Sequence, residues 1–237
     1  VEKIISRIAK IPPPPSVMQA VLAECSREEP DLDRIAAIIS SDGAMLSNFL
    51  KLASSSVYTG RPQEDPVAAV KVLGIDKIQS MAVGFSLEPY LRSARGEDAE
   101  YLHEHSVRTA AIGRLVSRFT GESQLRRRGE YLFTLGIVHE VGRLVILHDM
   151  PEEYRAVHDY RRTHQCTVSE AEEAVLGMSH GQIGRQLADH WDFPESIAVP
   201  IQYHLNFEDM PGAYREQYGL AVTARSFANF ASVADRL

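Results

Sequence analysis

Residues 132–150 read LFTLGIVHEVGRLVILHDM. The run is apolar on nearly every side and does not alternate with the period of a strand, which predicts a buried central helix over 129–149. At its middle His139 and Glu140 stand side by side. Buried polar groups have to be paired, because leaving them without partners is costly. His139 is expected to donate to a neighbouring carboxylate or carbonyl, and Glu140 to accept from His105 or Arg143. The pair does not open a zinc-protease motif, since position 143 is Arg where that motif needs His.

Working outward, the pattern stays helical and short β-branched runs between turns are rare. Pro12–Pro15 fix an extended entry, after which a helix can start at Ser16. Asp31 is a candidate N-cap for a helix carrying Leu32, Ile35, Ile38 and Ile39. SSDG at 40–43 breaks that run, with Asp42-Gly43 read as break and cap, and a helix follows over 44–52. Gly74 ends one helix and the next follows at once. The charged stretch RSARGEDAE (92–100) is the candidate boundary between an N-terminal part, 1–95, and a C-terminal part, 96–237. In the second part a helix carries Leu102, Ala110, Leu115 and Phe119 and closes at Gly121, and another begins at Pro151. The segment from 167 is capped by Thr167 or by Ser169, with Glu172 as the capping-box partner of Ser169. Trp191 reads as a core anchor between helices.

Composition bounds the function. The chain has 237 residues, 44% of them hydrophobic and 24% charged, as in an ordinary globular protein. A net charge of −7 argues against a nucleic-acid binder, which needs a basic footprint. The cluster Arg126–Arg128 reads as a solvated loop. No apolar run approaches the roughly 20 residues of a membrane span, and the N-terminus has no signal-type core, so neither a membrane nor nucleic acid is expected as a partner. Cys25 and Cys166 match no metal or redox spacing, which points to reduced thiols and a cytoplasmic setting. The first residue is Val, consistent with a fragment of a longer chain.

Nine histidines are present, and His105, His139, His180 and His204 each fall on or beside a helix of the second half. Spacing alone links none of them to another. The order of the motifs does more. IPPPPSVMQAVL (11–22), AAIISSDGAMLSNFLKLASSSVY (36–58), AVKVLGIDKIQSMAV (69–83), LHEHSVRTA (102–110), TLGIVHEVGRLVI (134–146) and EEAVLGMSHGQIGRQLADHWDFPESIAVPIQYH (172–204) together resemble an HDOD domain, the signalling relative of the HD phosphohydrolase superfamily. The resemblance covers nearly the whole chain. It implies an all-α fold, an N-terminal helical bundle subdomain packed on an HD-like helical core.

The resemblance also implies a metal set and shows departures from it. His105 takes the place of the first superfamily His, and His139-Glu140 that of the His-Asp pair. Asn229, in RSFANFA, takes the place of the late carboxylate. His180 and His204 match further histidines of two-metal relatives, but Leu205 follows His204 where a second His would stand. Glu140 is one methylene longer than Asp, and Asn229 has no charge to offer a hard cation. The expected outcome is a vestigial site, with Arg143 in the ligand cleft, no required cofactor and at most a weakly held divalent metal. The function so implied is a non-catalytic output or scaffold module of a bacterial regulatory protein. Its partners would be other signalling proteins, or receiver and sensor domains fused to it. The alternatives are a metal-dependent phosphohydrolase acting on nucleotides or cyclic dinucleotides, and a module that senses a small nucleotide without cleaving it.

Overall fold

In a computed structural model the described residues are 1–55, 59–93, 96–119, 129–212 and 214–215. Asn229, Arg126–Arg128, Gly121 and the final helical stretch of the sequence lie outside them. The described residues form helices and no strand. They are α1 (Glu2–Ile8), α2 (Ser16–Cys25), α3 (Leu32–Ser40), α4 (Gly43–Ser54), α5 (Pro66–Leu73), α6 (Ile75–Ser93), α7 (Glu97–Phe119), α8 (Gly129–Val138), α9 (Val141–Asp149), α10 (Pro151–His164), α11 (Val168–Leu176), α12 (His180–His190) and α13 (Glu195–Tyr203), followed by a 3₁₀ turn at Phe207–Asp209.

The chain divides into two compact units, Pro14–Ser86 and Val1–Pro13 with Leu87–Leu237. The division differs from a cut at 95 in two ways. The division between Ser86 and Leu87 falls inside helix α6, ahead of the charged stretch, and the first thirteen residues group with the second unit. The reason for the latter is visible in the side chains. Ile4 and Ile8 are buried where α1 packs on α12, while Lys3 and Arg7 both reach Glu153 on α10, at 2.9 and 3.0 Å.

The Pro14–Ser86 unit is a small bundle in which α3 packs on α2, α4 and α5. Local chemistry sets its ends. Asp31 accepts from the amides of Asp33 and Arg34, and Asp42 from that of Met45. Gly74 stops α5 with φ of 76°, a conformation L side chains avoid. Val21, Leu22, Ile35, Ile39, Phe49 and Ile78 make the core.

In the other unit α7 packs on α8, α9 on α12, and α12 on α13. Trp191 is fully buried, as expected of an anchor. The apolar run at 129–149 is not one helix. Helix α8 stops at Val138, His139 and Glu140 form a turn, and α9 starts at Val141. The turn redirects the chain so that Gly142 backs onto α12. A Cβ at Gly142 would stand 1.9 Å from the His180 carbonyl oxygen. By length and composition the stretch Gly129–Asp149 could cross a membrane, against the reading that no run comes near that length, but 72% of its apolar 18-residue window is buried inside the protein.

Candidate metal centre

Three helices and one turn bring five of the expected residues together. His105 is on the inward face of α7, His139 and Glu140 form the turn between α8 and α9, His180 is the first residue of α12, and His204 caps the end of α13. All five are buried. Glycine makes the close approach of the backbones feasible at two edges of the centre. At Gly136 a Cβ would meet the Ala110 backbone at 2.4 Å, so α8 touches α7. Gly142 does the same between α9 and α12.

The histidines face one another through Nε2. His105 Nε2 lies 3.2 Å from His139 Nε2, and His180 Nε2 lies 3.1 Å from His204 Nε2. Glu140 stands between the two pairs. Its Oε1 is 3.7 Å from His105 Nε2 and 3.6 Å from His139 Nε2, and its Oε2 is 3.5 Å from His180 Nε2. The donors therefore form two triads, His105–His139–Glu140 and Glu140–His180–His204, each within 4.8 Å.

The outer edges of the rings fix their tautomers. His139 Nδ1 is 2.9 Å from the Gly136 carbonyl oxygen, and His204 Nδ1 is 2.6 Å from that of Ile201. His180 Nδ1 is 2.6 Å from Glu172 Oε2, which also accepts from the His180 amide at 2.8 Å. Carbonyl and carboxylate oxygens only accept, so each Nδ1 carries the proton and donates it. In the neutral ring Nε2 is then a bare lone pair. Two such lone pairs 3.1 Å apart, as in His180 and His204, repel unless a proton or a metal ion lies between them.

The residues fit a divalent first-row ion. Imidazole nitrogens about 2.1 Å from a common ion stand roughly 3 Å apart. Each triad offers two imidazoles and one carboxylate, a set that suits such ions. Glu172 on His180 is the outer carboxylate that typically orients a metal-binding His. Glu140 Oε2 is buried with no hydrogen-bond partner, an orphan that a cation would satisfy. Burial works against the charge of Glu140, but Arg143 beside it outweighs that, aided by His180, His139 and His204 whenever those rings carry two protons, and the carboxyl is held well below the usual carboxylate range. Arg143, from the first turn of α9, comes within 3.6 Å of Oε2 and is the cation expected beside the centre.

One residue of the centre was misread from sequence. Glu172 is not a capping partner of Ser169. The cap of α11 is Thr167, reciprocally bonded with Glu170, and Glu172 is buried on His180 instead. The available signal was its place eight residues before His180 in the motif E-x-x-x-x-G-x-x-H, with Gly177 turning the chain back between them.

A family model for the HDOD domain matches residues 11–207. The crystal structure of an HDOD domain protein from Geobacter sulfurreducens aligns with a TM-score of 0.70 at 22% identity, covering 95% of this chain and 78% of that one. The structure of a protein provisionally named a phosphohydrolase, from Shewanella amazonensis SB2B, aligns with a TM-score of 0.71 at 20% identity, covering 99% and 81%. Both likenesses bear out the all-α, HD-like fold. A protein of Treponema pallidum (strain Nichols) is 24% identical over 227 residues, which are 95% of this chain. The chain spans 43% of the length of that relative.

Proposed function

The chain belongs to the HDOD domain family, and we propose that it works as a non-catalytic signal-transduction module whose buried His/Glu centre takes up a divalent metal ion. The observation that carries this reading is the burial of five potential ligands together. His105, His139, Glu140, His180 and His204 are between 1% and 8% exposed. A hydrolase must admit a phosphoester and a water to its ion, and catalytic sites keep a position open for them. Here the donors are closed in by α7, α9, α12 and α13, and Arg143 covers the outer oxygen of Glu140. An ion held by these five residues would supply charge balance to Glu140 and the facing lone pairs, and with it stability. The partners in this reading are other signalling proteins, or receiver and sensor domains in the same polypeptide.

A metal-dependent phosphohydrolase is the second reading, favoured by the two intact triads of two histidines and one carboxylate. Turnover of nucleotides and cyclic dinucleotides by protein loaded with Mn²⁺ separates the two. We expect none above the blank. Hydrolysis that disappears in His139→Ala would overturn the non-catalytic reading and establish the second.

A further inference from the structure

A single exposed apolar side chain names no ligand. Leu115, expected from sequence among the apolar residues that pack α7, is 52% exposed and is of that kind. The outer face of α4 carries more. Between this helix and the loop that follows it lies a cavity of about 580 Å³, within the range of small-molecule sites. Leu46, Leu50 and Pro62 give it an apolar wall, and Lys51, Ser55 and Gln63 line it with polar groups.

The wall is held in place by the protein itself. The Gln63 amide donates to Ser54 Oγ at 2.8 Å, and Thr59 Oγ1 donates to the Ala53 carbonyl oxygen at 2.7 Å. The Ser55 carbonyl accepts from the amides of Thr59 and Gly60 at 3.2 and 3.0 Å. These bonds tie the loop to the end of α4 and leave certain polar groups over. The Ser55 amide and carbonyl are both used, but its Oγ is buried with no hydrogen-bond partner. A hydroxyl in that state is costly and calls for an explanation. Among the described residues Lys51 has no ion pair, and the side-chain amide of Gln63 has no hydrogen bond. A lone surface lysine would simply be solvated. Here it stands one helical turn before the orphan hydroxyl, on the same side of α4.

We propose that this cavity binds a small amphipathic organic anion. Its apolar body lies against Leu46, Leu50 and Pro62. Its head pairs with Lys51 and accepts from the Ser55 hydroxyl and the Gln63 amide. Lysine can only donate, and the other two groups can donate to the same point, so the head has to be an acceptor, as a carboxylate is. The site uses no residue of the His/Glu centre and does not depend on metal uptake there.

Titration of the whole chain with octanoate, followed by amide NMR shifts, tests this. The shifts should gather on α4 and on residues 59–63. Acetate, which lacks the apolar body, and octanol, which lacks the charge, should each bind at least about tenfold more weakly. Lys51→Ala should weaken octanoate about three- to fivefold, the worth of an exposed ion pair, with its melting midpoint unchanged. Ser55→Ala should also weaken it, without lowering the midpoint, because the hydroxyl bonds nothing in the free protein. Shifts that are absent from α4, octanol binding as tightly as octanoate, or Lys51→Ala behaving like the parent would each overturn the proposal. So would a lowered midpoint in Ser55→Ala, which would give the hydroxyl a partner within the protein.

Discussion

Two buried carboxylates, one in each unit, are held in different ways. Glu24 on α2 is 5% exposed and has its own partners. Arg34 Nε is 3.1 Å away, Arg27 Nε 3.5 Å, and the Asp31 amide donates to it at 3.3 Å. Glu140 is 3% exposed, yet its neighbours stand at 3.5–3.7 Å and its Oε2 accepts no hydrogen bond. His139, His180 and His204 donate outward through Nδ1 and turn Nε2 toward the centre. Glu24 is satisfied by protein groups alone, as a structural carboxylate should be. Glu140 is arranged as if for a cation, since burying a charge without close partners is costly unless something completes the set.

The largest effect should come from the backbone contact that builds the centre. Gly142→Ala places a Cβ against the His180 carbonyl, which neither helix can yield without separating. We expect a loss of about 3 kcal/mol in urea unfolding, with metal uptake lost as well. The same substitution at Gly43, where nothing lies within 4 Å of the new Cβ, should leave metal uptake intact.

The comparison is sharpened by Glu24→Gln and Glu140→Gln measured with and without Zn²⁺. A ligand that binds the folded state raises its midpoint. Glu24→Gln should lower stability by about 1–2 kcal/mol and keep the whole of the metal-induced rise. Glu140→Gln should abolish the rise. If both variants keep it, Glu140 is no ligand, and the contrast between the two carboxylates fails. Glu172→Gln leaves every donor in place but loosens His180. Metal affinity should fall by about 10- to 100-fold, read by competition with a chelator.

The smallest effect is on pH dependence. Lys3 and then Arg7 hold the Glu153 carboxyl at about 2, below its ordinary 4.5, through hydrogen bonds that outweigh its slight desolvation. A carboxylate whose pKa is lowered by folding stabilises the protein above 4.5, and that contribution is lost as pH falls toward 2. Melting midpoints across this window should fall less steeply in Glu153→Gln than in the parent. Equal slopes would mean that the tie between α1 and α10 contributes nothing.

Much of this fold is legible in the sequence, because helix ends are local. Asp31, Asp42, Gly74 and Pro151 cap, stop or start helices through bonds and backbone angles set within a few residues. The co-location of His105, His139, His180 and His204 is not local, and it followed from the order of motifs and not from spacing. What was missed depends on tertiary contact. The break at His139-Glu140 serves the approach of Gly142 to α12, which no periodicity announces. The grouping of α1 with the later helices rests on Ile4, Ile8 and the ion pairs to Glu153, more than a hundred residues away in sequence. Exposure of Leu115 reflects which side of α7 meets α8, and an apolar residue three or four places from others reads as core until that side is known.

Every contrast drawn above depends on metal uptake by the His/Glu centre. The most direct test of that uptake is elemental analysis of the protein after dialysis against Zn²⁺, Mn²⁺ and Fe²⁺ and removal of free ion, beside Glu140→Gln and His139→Ala. We expect close to stoichiometric metal in the parent and its loss in both variants. A folded parent protein that retains no metal would contradict it, and would make the centre a buried hydrogen-bond network sharing protons between its histidines.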